Sequence, residues 1–228
     1  MIFYTSLICL DASSISNDIQ AILNASKKDT RFHAVHADFM DGNFVPRLGI
    51  YPELIRQVRM HFPNCKIDSH LMVNDPFAYV DLIAPFSDFF QFHCEAVNDP
   101  FRIIQKLRKD FPNTKIGLCF NLGSTLESLH YFAPYIDAVT LMGISPGVLE
   151  AGSFPDIIRE KVGIIRSDIR TRELKIFVDG AVNFETIPLF SEYGVNAVVC
   201  GSQSIMFEHR IQENIQNIQS SIQITREQ

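Results

Sequence analysis

No stretch of Lys and Arg runs together in this chain, and its formal net charge is -6 with a pI near 5.6. Without a basic face it has no electrostatic means of holding nucleic acid or an anionic membrane, so neither is expected as a partner. No uninterrupted apolar run approaches the roughly 18 residues that would suggest a membrane span. The apolar opening, Met1 to Leu10, lacks a basic flank and a cleavage site and runs straight into Asp11. It reads as a first β-strand rather than a secretory leader. The five cysteines, Cys9, Cys65, Cys94, Cys119 and Cys200, are odd in number and widely spaced, with no C-x-x-C pair. That pattern argues against zinc or redox frameworks and predicts reduced, mostly buried thiols. A cytoplasmic protein with a small-molecule partner is the expectation these absences leave.

Linkers, repeats and low-complexity segments are missing too. The 228 residues, 46% of them hydrophobic, have a mean hydropathy of +0.07, and one domain spanning 1–228 is expected. Short runs rich in Ile, Val and Phe alternate with segments of helical period throughout. The strand candidates are Phe3–Leu10, Ala34–Phe39, Lys66–Leu71, Phe89–Cys94, Lys115–Phe120, Ala138–Met142, Lys175–Asp179 and Ala197–Cys200. Helix starts are signalled by Pro52 before Glu53, by Asp75-Pro76, by Asp99-Pro100, and by Ser124 three residues before Glu127, which reads as a capping box. Eight strand–helix units with right-handed crossovers can close an α/β barrel, a (β/α)8 TIM barrel; a doubly wound open sheet is the competing arrangement. In the tail, Ile211, Ile215, Ile218 and Ile222 share one helix face. That face either packs on the barrel or forms a subunit contact in a homo-oligomer.

The chemistry-bearing residues cluster by position. Strand two ends His36-Ala37-Asp38, strand three Asp68-Ser69-His70, strand four His93-Cys94-Glu95 and strand seven Val178-Asp179-Gly180. Active sites of such barrels lie at the C-terminal ends of the strands, so four strands aim ionisable groups at one mouth. His36, Asp38, His70 and Asp179 form a set of two imidazoles and two carboxylates that suits one divalent metal ion, with zinc, iron, manganese and cobalt all compatible. His36 and Asp38 alternate onto the same side of their strand. A metal beside a carbonyl and its neighbouring hydroxyl would act as a Lewis acid, while one carboxylate removes a proton and the other returns one.

The run His36-Ala37-Asp38-Phe39-Met40-Asp41-Gly42-Asn43-Phe44-Val45-Pro46 resembles the H-x-D-x-M-D-G-x-F-V-P signature of the ribulose-phosphate 3-epimerase family. Asp68-Ser69-His70-Leu71-Met72, His93-Cys94-Glu95-Ala96, Asn121, Met142 with Pro146-Gly147, Val178-Asp179-Gly180 and Gly201-Ser202 follow in family order. The resemblance implies a barrel of the ribulose-phosphate-binding type and an isomerase that inverts C3 of a ketose phosphate. It implies Asp38 and Asp179 as metal ligands and acid/base pair, with His36 and His70 completing the ligands. Ser6 would contact substrate, and Met40, Met72 and Met142 would exclude water around the reacting carbons, though core methionines are the plainer reading. His93 would either touch substrate or support the site. Asp41 and Gly42 would shape the loop, with an Asx turn as the alternative for Asp41.

The phosphate grip is only partly retained. In the family, backbone N–H groups of glycine-rich loops after strands six, seven and eight hold the phosphate. Here Gly147, Gly180, Gly201 and Ser202 match. The loop after strand six, however, reads Ser145-Pro146-Gly147-Val148-Leu149-Glu150-Ala151-Gly152-Ser153-Phe154 instead of N-P-G-F-G-G-Q-x-F, and Asp-Gly-Gly becomes Asp179-Gly180-Ala181. A carboxylate such as Glu150 near a phosphate would be repulsive. Arg47 could contact a phosphate or sugar hydroxyl, or be solvated. The expected substrate is therefore ribulose 5-phosphate/xylulose 5-phosphate or a ketohexose phosphate, against the alternative of a non-catalytic sugar-phosphate-binding barrel.

Overall fold

The computed structural model describes the chain except residues 28, 149–151, 153, 227 and 228, and gives only the backbone of residues 223–226. Eight parallel strands follow one another around a closed barrel in sequence order. They are β1 (Ile2–Ser6), β2 (Ala34–Met40), β3 (Lys66–Met72), β4 (Phe89–His93), β5 (Lys115–Phe120), β6 (Ala138–Met142), β7 (Lys175–Asp179) and β8 (Ala197–Cys200). A helix follows each: α1 (Ile15–Ala25), α2 (Pro52–His61), α3 (Val80–Ile83), α4 (Pro100–Asp110), α5 (Leu129–Phe132), α6 (Pro155–Ser167), α7 (Thr186–Glu192) and α8 (Ile211–Arg226). The open-sheet alternative is thereby excluded, because β1 pairs with β8.

Alternation along the strands divides the core. One set of side chains packs between strands and helices in a large apolar cluster that includes Phe3, Phe39, Ile67, Leu118 and Val198. The other set points inward. Tyr4, Phe89 and Phe177 belong to β1, β4 and β7, which are not neighbours, yet their rings meet with centroids 5.6 and 5.1 Å apart. They can do so only inside the barrel, where Ala34, Ala138 and Ala197 leave them room. This apolar plug fills one end of the interior, and inward residues two positions further along each strand are available for polar chemistry.

Strand one is shorter than its sequence suggests. It stops at Ser6, and Leu7–Cys9 form a 3-10 turn that lets Ser6 sit at the strand end. Pro52 and Pro100 occupy first-turn positions of α2 and α4, and the Asp99 side chain accepts the Phe101 N–H, as their motifs predict. The Ser124–Glu127 capping box does not form. The Ser124 hydroxyl is committed to Glu95, and α5 begins only at Leu129. In α8, Ile215, Ile218 and Ile222 are buried and Ile211 packs against the same core, so the isoleucine face is used within the chain rather than offered to a second copy. Among the described residues no helix is long and apolar enough to cross a membrane. The five cysteines are free; Cys65, Cys119 and Cys200 are buried, and Cys9 and Cys94 half-buried.

Candidate active site

The barrel register brings the predicted ligands together. Ser6 pairs with His36 between β1 and β2, and Asp38 lies opposite His70 between β2 and β3. Asp179 ends β7, on the far side of β8 and β1 from β2. One ligand atom from each of His36, Asp38, His70 and Asp179 falls within 4.8 Å of all the others. His36 Nε2 is 3.1 Å from Asp38 Oδ1 and 3.6 Å from Asp179 Oδ2. His70 Nδ1 lies 3.1 Å from Asp179 Oδ2 and 3.5 Å from Asp38 Oδ1, yet it has no aligned hydrogen-bond partner among the described residues. A fully buried nitrogen left without a partner in the middle of three other donors is what a divalent ion would satisfy. The residues present therefore fit one metal ion, with mixed nitrogen and oxygen ligands.

Electrostatics in the metal-free cluster follow from that crowding. Burial opposes charge on His36, but Asp38 and Asp179 outweigh it and hold the imidazole well above its ordinary value. His70 is raised too, against burial, by the adjacent Cys119 thiol and by its contacts with Asp179 and Asp38. Burial would raise both carboxyls, but the neighbouring imidazoles hold Asp38 and Asp179 below the usual carboxylate range. The Ser6 hydroxyl donates to Asp38 Oδ2 over 3.0 Å and fixes that carboxylate from the cleft side.

Beneath the cluster lies a polar column that sequence reasoning missed. His36 Nδ1 is 2.8 Å from Asp68 Oδ2, Gln91 Nε2 donates to Asp68 Oδ1 over 2.7 Å, and the Thr140 hydroxyl donates to Gln91 Oε1. Asp68 and Gln91 are 0% exposed and Thr140 1%, so each polar atom depends on the next. Gly117 makes the room. A Cβ there would stand 2.3 Å from Gln91 Oε1. A Gln between phenylalanines in Phe89-Phe90-Gln91-Phe92 was the available signal, together with Asp68 two residues before His70 on the same face.

The cleft above the cluster is lined by Asp38 and Asp179 together with Ser6, Met40, Met72, Met142, Gly147, Gly180, Gly201 and Ser202, eight positions singled out from the sequence. His93 is different. It is fully buried and does not line the cleft, because its ring lies between Phe44, whose ring is tilted against it, and the back edge of His70, with centroids 4.9 and 5.0 Å away. Of the two roles expected of His93, substrate contact or support of the site, this placement behind His70 is the one that support requires. Asp41 adopts the Asx-turn role: its Oδ1 accepts the N–H groups of Asn43 and Phe44, and Oδ2 accepts that of Asn74. Ile144, Ala181, Val182 and Gln203 also line the cleft and carry no polar strand-end signal that would have marked them.

Gly180 and Ala181 both take positive φ, 90° and 55°, so the second position keeps a left-handed conformation despite its methyl group. Arg47 lines the cleft from the loop after β2, half-buried, and its guanidinium has no hydrogen-bond or ion-pair partner among the described residues. Leu149, Glu150, Ala151 and Ser153 of the loop after β6 lie outside the described residues, and with them the question of where Glu150 points.

A closed barrel with a two-histidine, two-carboxylate cluster at its mouth defines a class of α/β-barrel enzyme. Residues 2–205 match the model of the ribulose-phosphate 3 epimerase family, and the chain belongs to that family of isomerase-class carbohydrate epimerases. It is 29% identical to the ribulose-phosphate 3-epimerase of Bacillus subtilis, covering 86% of this chain and 88% of that one. With the enzyme of the same name from Rhodobacter capsulatus the identity is 31%, covering 86% and 82%. Among solved structures the fold resembles KGPDC from Streptococcus mutans, with a TM-score of 0.71 at 14% identity over 98% of this chain and 97% of that one. It also resembles 3-hexulose-6-phosphate synthase from Salmonella typhimurium, with a TM-score of 0.69 at 14% identity over 99% and 100%. At such identities these structural likenesses speak to the fold alone.

Proposed function

We propose that this protein is a metal-dependent epimerase that inverts C3 of a ketose phosphate, ribulose 5-phosphate/xylulose 5-phosphate or a ketohexose phosphate, by proton transfer between Asp38 and Asp179. The observation that carries the reading is the convergence of these two carboxylates, from non-adjacent strands, on one buried cluster that also holds His36 and His70. His36, Asp38, His70 and Asp179 would hold the ion, and a divalent cation there would stabilise negative charge developing on the substrate oxygens next to C3. One of Asp38 and Asp179, ionised, takes the C3 proton, and the other, entering the cycle protonated, supplies its proton to the opposite face of the resulting enediolate, so that the two carboxyls exchange protonation states in each turnover. Ser6 orients Asp38 through the 3.0 Å hydrogen bond. Met40, Met72 and Met142, 8%, 3% and 3% exposed, keep water from the reacting carbons.

The phosphate end is assigned to the side of the cleft lined by Gly180–Ala181 and Gly201–Ser202, the positions that resemble the family's phosphate-binding loops. Arg47, which lines the same cleft, adds a positive charge. The experiment is NMR-detected exchange of the C3 proton with solvent deuterium, run with metal-loaded protein across ketose phosphates and the matching free ketoses. Exchange with inversion for at least one phosphorylated ketose is expected. Tight binding of ketose phosphates with no exchange would instead identify a sugar-phosphate-binding barrel.

A further inference from the structure

The two imidazoles of the cluster are backed differently. His36 turns its second nitrogen to a carboxylate, Asp68, at 2.8 Å. His70 turns its second nitrogen to another histidine: His70 Nε2 and His93 Nε2 are 2.9 Å apart. The far nitrogen of His93, Nδ1, faces Glu95 Oε2 at 3.4 Å, within charge-pair reach though not in an aligned hydrogen bond, and has no other partner among the described residues. Glu95 is itself fixed, since Oε1 accepts the Asn121 N–H over 2.8 Å and the Ser124 hydroxyl. Lys161, 7% exposed, secures the same turn by donating to the Asn121 carbonyl over 2.7 Å.

We infer that His93 and Glu95 are positioning residues that fix the tautomer of His70 and so hold its Nδ1 lone pair toward the metal position. This rests on the metal-binding reading above. Two neutral imidazoles that meet nitrogen to nitrogen share one proton, so one ring donates and the other accepts. Glu95 decides which. Its carboxylate faces His93 Nδ1 and favours an N–H there, which leaves His93 Nε2 as a bare acceptor. His70 must then donate from Nε2, and a neutral imidazole with its proton on Nε2 has its lone pair on Nδ1. That is the buried atom, beside Asp38 and Asp179, that has no hydrogen-bond partner among the described residues. The opposite assignment would set the His93 Nδ1 lone pair against the Glu95 carboxylate and an N–H of His70 where a cation belongs.

Cys119 Sγ lies within 4.8 Å of ligand nitrogens of both His70 and His93, so the trio could itself be taken for a metal site. The 2.9 Å nitrogen separation favours a hydrogen bond. Two nitrogens on one tetrahedral ion, each at about 2.0–2.1 Å, sit roughly 3.3 Å apart.

The test compares wild type, Glu95→Gln, His93→Phe, His93→Gln and the Glu95→Gln/His93→Gln double variant. Co(II) and Zn(II) dissociation constants are measured by chelator competition, with metal stoichiometry, the visible spectrum of the Co(II) form and the melting curve of metal-free protein. A glutamine amide at 93 can offer an oxygen where the imidazole offered Nε2, without needing Glu95. His93→Phe and Glu95→Gln are therefore expected to lose about 10- to 100-fold in affinity, the usual effect of removing a partner behind a metal ligand. His93→Gln should stay within a few-fold of wild type, and Glu95→Gln should have no effect in that background. The Co(II) spectrum should shift in the two weakened variants. If His93→Phe does not fold, Glu95→Gln and the double variant decide. Unchanged affinity in Glu95→Gln, an equal loss in both backgrounds, or two metal ions per wild-type chain with one lost in His93→Phe would overturn the inference. Wild type that binds no metal would overturn instead the reading on which it rests.

Discussion

Replacing Gln91 with Leu tests whether the polar column under the His36–Asp38–His70–Asp179 cluster is a working part of the core. Leu fits the volume but cannot donate to Asp68 Oδ1, 2.7 Å away, or accept from Thr140. Losing a hydrogen bond to a charged partner costs about 1.5–3 kcal/mol, and a buried hydroxyl left unsatisfied about 1–3 kcal/mol. Extra apolar burial returns about 1 kcal/mol, at ~0.8 kcal/mol per buried methylene. The net expectation is a destabilisation of about 1.5–5 kcal/mol, or roughly 3–20 °C in the melting temperature for a chain of this size. Adding Thr140→Val removes the orphaned hydroxyl, so the double variant should be less destabilised than the sum of the two single variants. Differential scanning calorimetry of metal-free and metal-loaded protein measures both. A melting temperature for Gln91→Leu within about 1 °C of wild type would refute the idea that Asp68, Gln91 and Thr140 depend on one another.

Ala181→Gly should relieve the left-handed strain at φ 55° and raise stability by up to about 1 kcal/mol, read from the melting curve. Arg47→Gln should raise KM for a phosphorylated ketose about tenfold with little change in kcat and almost none for the free sugar; the estimate takes the low end of about 1.5 kcal/mol for a charged hydrogen bond, because the guanidinium is half-exposed. The raised His36 and His70 values stabilise metal-free protein fully below pH about 6.5, and that contribution is lost as pH rises through the raised values. The depressed Asp38 and Asp179 values stabilise it above pH about 4 and fail as pH falls. Metal-free protein should thus be most stable between about pH 4 and 6.5, metal binding should release protons, and affinity should climb with pH; calorimetry in buffers of different ionisation enthalpy reads the proton count.

Much of the barrel was readable from the chain because inward and outward residues of buried parallel strands are bounded by turn chemistry. β5, β6, β7 and β8 begin and end where the apolar runs do. β1 misled because Leu7–Cys9 is as apolar as a strand but folds into a turn under the barrel mouth. Ser124 and Glu127 have the spacing of a cap, but a tertiary contact to Glu95 claimed the hydroxyl. The candidate ligand cluster was legible because His and Asp are rare on buried strands. Its support was not: Gln91 and Gly117 take their meaning only from the packing of β4 against β5, and whether His93 touches substrate or supports the site is left open by the chain, whereas the structure places its ring between Phe44 and His70.

The most direct test of the account is the C3 exchange and inversion assay on Asp38→Asn and Asp179→Asn, each loaded with metal and compared with wild type on the ketose phosphate that wild type turns over. The account predicts that wild type inverts C3 while incorporating one solvent deuterium, and that neither variant interconverts the epimers at a measurable rate. Inversion at the wild-type rate in either variant would contradict it.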